Sequence, residues 1–159
     1  MTISDQAIQQ AIEPHQDLPG AMLPVLHAVQ NSFGYIPVNA IAVIAGALQV
    51  SRAEVEGVIS FYHHYRRSPA GAHIVQVCRA EACQARGSRE LESHLKSSLG
   101  VEYHQTTADN EITLEPVYCL GNCACGPNLL IDDHVQARVT PEKADRLIER
   151  LRTQALEIR

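Results

Sequence analysis

His73-Ile74-Val75-Gln76-Val77-Cys78-Arg79-Ala80-Glu81-Ala82-Cys83-Gln84-Ala85-Arg86-Gly87-Ser88 changes character twice along its length. Residues 73–78 alternate well enough for a strand, with Ile74, Val75 and Val77 inside it. A polar loop carrying two cysteines follows. From Ser88, Leu91, Leu95 and Leu99 recur at helical spacing, which predicts a helix over 88–99. A strand that runs into a cysteine loop and then a helix begins a mixed α/β unit.

The residues after this stretch extend the pattern. Residues 101–104 are a candidate strand, Asp109-Asn110 is a turn, and 112–118 read as a further strand. Residues 129–131 and 135–139 flank Asp132-Asp133, which predicts a hairpin. Thr140-Pro141-Glu142 opens a last helix, with Thr at the N-cap and Pro in the first turn, and Ala144, Leu147, Ile148 and Leu151 on its buried face. The order β-α-β-β-β-α predicts one sheet with helices packed on it.

Upstream the signal is helical. Residues 21–33 place Met22, Val25, Leu26, Val29 and Phe33 on one face, and Gly34 is the expected C-cap. Residues 39–48 repeat the pattern. Ser51 and Glu54 form a capping box ahead of Val55, Val58, Ile59 and Tyr62. A weaker helix is expected over 5–12. Ser68-Pro69-Ala70-Gly71 is the best boundary, so the chain divides into 1–70, a helical bundle, and 71–159, an α/β domain; the fold class is α+β.

Composition limits the function classes. With 159 residues, 45% apolar and 19% charged, the chain can bury a core and is not expected to be disordered. A formal charge of −5 and no basic run beyond Arg66-Arg67 argue against a nucleic-acid binder. The first residues lack the pattern of a signal peptide, and the longest apolar stretch, 40–48, is too short to insert in a membrane. The expected location is cytoplasmic. Neither G-x-G-x-x-G nor G-x4-G-K-[ST] occurs, and no nucleophile–base pair stands out, so the chain is not expected to oxidise a nicotinamide or formate by itself.

All five cysteines follow residue 77: Cys78 and Cys83 as C-x4-C, Cys119 and Cys123 as C-x3-C, and Cys125. In a reducing compartment they are better read as ligands, redox groups or core residues than as disulfides. Each pair sits in a loop directly after an expected strand. Two thiolates for each iron is what a [2Fe–2S] cluster takes. Gly87 and Gly121 would let backbone N–H groups approach the sulfurs, the start of the 88–99 helix would add donors, and Arg79 and Arg86 would add positive charge. Three readings compete. Structural zinc favours C-x2-C knuckles, a C-x-C dithiol at Cys123-Ala124-Cys125 leaves three cysteines idle, and buried core thiols do not explain paired, glycine-flanked cysteines in polar loops. A Rieske centre is excluded by the lack of a Cys-x-His pair.

Val77-Cys78-Arg79-Ala80-Glu81-Ala82-Cys83-Gln84-Ala85-Arg86-Gly87, with Cys119-Leu120-Gly121-Asn122-Cys123 and Gly126-Pro127, resembles the thioredoxin-like [2Fe–2S] ferredoxin family. That is the family of the peripheral NADH-dehydrogenase subunit of complex I, with relatives in NAD-reducing hydrogenases and soluble NAD-dependent formate dehydrogenases. Phe33-Gly34-Tyr35-Ile36-Pro37, Glu56-Gly57-Val58-Ile59-Ser60-Phe61-Tyr62 and Thr140-Pro141-Glu142-Lys143 extend the resemblance over nearly the whole chain. It implies a thioredoxin-like domain over 71–159 and a [2Fe–2S] cluster on Cys78, Cys83, Cys119 and Cys123. Single electrons would be exchanged with a flavin in an NAD-binding partner subunit.

Arg79-Ala80-Glu81-Ala82-Cys83-Gln84 is most similar to the γ subunit of cytosolic NAD-dependent formate dehydrogenase, which implies a molybdenum-containing catalytic subunit as a further partner. The alternatives are the equivalent subunit of complex I or of an NAD-reducing hydrogenase, and a non-redox scaffold subunit. Cys125 is read as a small side chain behind the cluster loop, with a substitute ligand as the rival reading. His63-His64 is read as a solvated or capping pair, with Tyr62, Tyr65 and the two arginines as a candidate partner contact. Gly126-Pro127 is a candidate cis peptide.

Overall fold

Ser4 opens the first helix of the computed structural model, which describes residues 3–157, with side chains through Thr153. Its hydroxyl accepts the amide of Ala7 at 3.2 Å, and α1 runs over Asp5–Ile12. The chain divides into two units, Met1–Pro69 and Ala70–Arg159. In the first unit α1 is followed by α2 (Met22–Phe33), α3 (Ala40–Leu48) and α4 (Arg52–Phe61). Gly34 ends α2 at φ +80°, a conformation open to glycine at little cost. Asn39 ties α3 to α1 by donating to Ile3 O at 2.8 Å and to Asp5 Oδ1 at 2.7 Å.

The apolar stripes of all four helices meet in one core in which Ile8, Ile12, Val25, Leu26, Val29, Ile44 and Val55 are fully buried. Gln30 is the polar exception, and it is satisfied. Its Nε2 donates to His64 O and its Oε1 accepts from Arg66 N, both at 2.8 Å, so α2 holds the segment after α4. Tyr62 lies outside the helical stripe expected for it, because α4 ends at Phe61 and Tyr62 is extended and 43% exposed.

The capping box is formed as read: Ser51 N donates to Glu54 Oε2 at 2.8 Å, and Glu54 N to Ser51 Oγ at 3.2 Å. The Ser51 amide, then its hydroxyl, hold the Glu54 carboxyl below the usual carboxylate range. Ser51→Ala is expected to cost about 1 kcal/mol, seen as a midpoint shift in chemical denaturation without a change in slope.

The second unit is a five-stranded sheet in the order β2-β3-β1-β4-β5. β1 (His73–Cys78) lies parallel to β3 (Ile112–Val117), and the other pairings are antiparallel: β2 (Gln105–Thr106) on β3, β4 (Leu129–Ile131) on β1, and β5 (His134–Gln136) on β4. A short α5 (Glu81–Gln84) precedes α6 (Ser88–Leu99), and α7 (Pro141–Glu157) closes the chain. Val75, Val77, Ile112, Leu114 and Leu129 of the sheet pack with Leu91, Leu95 and Ala144 of the helices.

Two expected strands fall elsewhere. Residues 101–104 are not extended, because the amides of Gly100 and Val101 both still donate to Lys96 O and His104 turns at φ +65°. The hairpin's second arm stops at Gln136 rather than Val139, because Arg138 N and Val139 N donate to Cys125 O and Pro127 O instead of to a strand. Among the described residues no helix is long and apolar enough to cross a membrane.

Candidate metal centre

Parallel pairing decides where the cysteines meet. Cys78 is the last residue of β1 and lies opposite Val117, the last of β3. Neighbouring parallel strands end at the same sheet edge, so the loops leaving them emerge side by side. Arg79 N donates to Val117 O at 2.7 Å and continues the pairing one step into the loops. Cys83 stands in α5 and Cys119 begins the second loop at φ +100°. A 3-10 turn, Cys123–Cys125, holds the other two.

The four cysteines predicted as ligands come together as two pairs. Cys119 Sγ and Cys123 Sγ lie 3.8 Å apart, both exposed. Cys78 and Cys83 are each 1% exposed, and each thiol perturbs the ionisation of the other. Burial works to raise the Cys78 thiol, but the Ala80 amide, the Cys83 thiol and the amides of Cys119 and Leu120 outweigh it and hold Cys78 below its ordinary value. Burial and the neighbouring Cys78 thiol raise Cys83, against the Asn128 donors. Cys123 is raised by its hydrogen bond to Cys119, and it also feels the charges of Cys83 and Cys78, which brings all four thiols within one electrostatic neighbourhood.

Of the glycines, Gly121 acts as expected, its amide reaching Cys119 Sγ at 3.4 Å from a φ of +74°. Gly87 does not. Its amide donates to Gln84 O, and its φ of +98° serves the turn from α5 into α6. At the start of α6 the buried Ser88 hydroxyl donates to Cys78 O and fastens the helix to the end of β1 by its side chain.

Asn128 escaped the sequence reading, and Gly126 entered it only within the Gly126-Pro127 motif and candidate cis peptide. Asn128, 1% exposed, donates from Nδ2 to Cys83 Sγ at 3.4 Å and to Asn122 O at 2.8 Å, and its Oδ1 accepts from Asn122 Nδ2 at 3.1 Å. Gly126 leaves space that a side chain would close: a Cβ there would stand 3.2 Å from Cys83 Sγ and 3.2 Å from Arg86 Cδ. The only sequence signal for either was the adjoining Pro127, whose peptide with Gly126 is cis.

Cys125 stands half-buried, fixed through its backbone by Asn122 O and Arg138 N, and its thiol makes no hydrogen bond among the described residues. Cys125→Ser is expected to leave iron content and the electron paramagnetic resonance (EPR) signal unchanged after reconstitution. His63 and His64 are exposed, and among the described residues no three His, Cys, Asp or Glu side chains converge on a single-ion site. Four thiols in two pairs, with amides directed at the sulfurs and a glycine-lined recess beside one of them, suit a two-iron group with two thiolates per iron.

Comparison with known proteins points to the same kind of group. Residues 8–152 match the family model of the thioredoxin-like [2Fe-2S] ferredoxin. A subunit of the NADH-quinone oxidoreductase of Escherichia coli strain K12 is 37% identical over 145 residues, covering 91% of this chain and 87% of that protein. The same subunit of the Pseudomonas aeruginosa enzyme is 36% identical over 143 residues, covering 90% and 86%. Among solved structures, an NAD+-reducing [NiFe]-hydrogenase in the air-oxidized state shares the fold, with a TM-score of 0.72 and 24% identity over 89% of this chain and 24% of the hydrogenase chain. On the family match and the relatives' identity, this chain belongs to the thioredoxin-like [2Fe-2S] ferredoxin family.

Proposed function

We propose that this chain is the [2Fe–2S] electron-transfer subunit of a multi-subunit NAD-linked oxidoreductase, of the NADH-quinone oxidoreductase or NAD+-reducing hydrogenase kind. The observation that carries it is the meeting of Cys78, Cys83, Cys119 and Cys123 at one sheet end, in a chain 37% identical to a subunit of an NADH-quinone oxidoreductase. When bound, the cluster supplies a one-electron carrier.

The chain's own residues do the rest. Four thiols hold the irons, and the amides of Ala80, Leu120 and Gly121 together with Asn128 Nδ2 direct N–H dipoles at the sulfurs. Such donors favour the more negative, reduced state. Cys78 and Cys83 are covered while Cys119 and Cys123 face solvent, so the C-x3-C loop is the edge from which electrons pass to and from a partner. That partner is a flavin- and NAD-binding subunit, and the complex works in the cytoplasm. No bond of the substrate is made or broken on this chain.

A finer reading places the chain in a soluble formate dehydrogenase with a molybdenum-containing catalytic subunit. It rests on the stretch Arg79-Ala80-Glu81-Ala82-Cys83-Gln84 alone, and the relatives favour the first reading. Anaerobic reconstitution tests the common core: about two irons and two sulfides per chain are expected, whereas colourless protein with stoichiometric zinc would overturn it. Mass spectrometry of co-purified subunits separates the parents, since a quinone-linked arm, a nickel–iron subunit and a molybdenum subunit are different proteins.

A further inference from the structure

Two arginines, Arg79 and Arg86, flank the first cysteine pair, and the structure treats their charges differently. Arg79 Nε lies 3.0 Å from Glu92 Oε2, the other oxygen of Glu92 is 3.2 Å from Lys96 Nζ, and Lys96 Nζ is 2.9 Å from Glu102. Two cations and two carboxylates thus form one closed, neutral group. Its cations also lie over the Tyr103 ring, Lys96 Nζ at 4.3 Å and Arg79 at 5.4 Å. The field of a neutral group falls off faster with distance than that of a single charge.

Arg86 belongs to no such group. It is exposed, and no ion pair among the described residues includes it. Its place is set by packing. Arg86 N donates to Cys83 O at 3.1 Å, and Arg86 Cδ and Cys83 Sγ both lie 3.2 Å from the point that a Cβ on Gly126 would occupy. The missing side chain of Gly126 leaves room for both the arginine stem and the Cys83 sulfur at the same recess.

We propose that Arg86, packed at the Gly126 recess that also borders Cys83, is an uncompensated cation that raises the reduction potential of the cluster, whereas Arg79 is cancelled by its partners. This rests on the cluster assignment above. Reduction adds one negative charge, so a nearby cation favours the reduced state and its removal favours the oxidised one. An exposed charge is also screened by salt, which distinguishes it from a buried dipole.

The test is an EPR-monitored redox titration of the full reconstituted chain at low and high salt, with iron and sulfide measured first. At a fixed ambient potential, Arg86→Gln is expected to lower the ratio of reduced to oxidised cluster by about threefold or more at low salt, and by less at high salt. Arg86→Lys keeps the charge and stays near wild type. The charge-neutral double variant Arg79→Gln/Glu92→Gln also stays near wild type.

An Arg86→Gln titration that overlays wild type overturns the proposal, as does a double variant that moves as far as Arg86→Gln or a shift indifferent to salt. If Arg86→Gln fails to hold iron, Arg86 is structural and the proposal falls, with the cluster assignment intact. If wild-type chain holds no iron, the cluster assignment falls and takes this inference with it.

Discussion

Cys83→Ala is expected to reduce iron from about two per chain to well below one after anaerobic reconstitution, with loss of the visible colour and the EPR signal. Three features make Cys83 the most sensitive of the four. It is 1% exposed, so neither water nor an added thiol can reach the position to stand in for it. It sits in α5, a helix of four residues, between the covered Cys78 and the Gly126 recess, where backbone adjustment is restricted. It also accepts the buried Asn128 amide, which loses a partner when the sulfur goes.

Cys123→Ala is the informative contrast. Cys123 is exposed and 3.8 Å from Cys119, so a small exogenous thiol can enter its place. Reconstitution with excess thiol is therefore expected to restore iron to Cys123→Ala and not to Cys83→Ala. Equal rescue of both, or full iron in Cys83→Ala, would contradict the assignment of these ligands.

Asn128→Ala is the second large effect. The substitution deletes a side chain that makes three hydrogen bonds at 1% exposure, and it removes the partner of Asn122 Nδ2 while leaving Asn122 O with the Cys125 amide alone. A cost of about 2–4 kcal/mol is expected, since a net hydrogen bond contributes about 1 kcal/mol and the space left at a buried site adds to the loss. For a unit of this size that corresponds to a fall in melting temperature of roughly 10–20 °C.

The loss should appear in the cluster-free chain as well, because two of the three bonds involve no sulfur. In the loaded chain the same variant is expected to lower the reduction potential, since the N–H dipole at Cys83 Sγ favours the reduced state. Calorimetry of the cluster-free protein and a redox titration of the loaded one check the two parts separately. An unchanged melting temperature would mean that the Asn128–Asn122 bonds are replaced by water.

Helices were legible because their signals are local. The Ser51–Glu54 box, the Gly34 stop and the Leu91, Leu95, Leu99 spacing each depend on residues within a turn or two of one another, and each forms as read. The strand misplacements have the opposite character. Val101 and Arg138 carry no local mark that their amides are engaged elsewhere, by Lys96 O and Cys125 O. Gly87 and Gly121 looked equivalent beside their cysteines. One faces a sulfur and the other a helix turn, and only the path of the chain separates them.

By itself the sequence determined the longer helices and their main caps, though not the short α5, together with the pairing of cysteines by spacing and, through resemblance, the family. The tertiary structure alone decided that β1 and β3 run parallel with Cys78 opposite Val117, and this brings loops far apart in the chain to one edge. It also decided that Asn128 and Gly126 border the cysteines, that Ser88 fastens α6 to the end of β1, and that Arg79 is paired while Arg86, among the described residues, is not. The physical reason is one of range. Caps and helical faces are set by neighbours in the chain, whereas hydrogen bonds to a buried sulfur and the cancellation of a charge act through space.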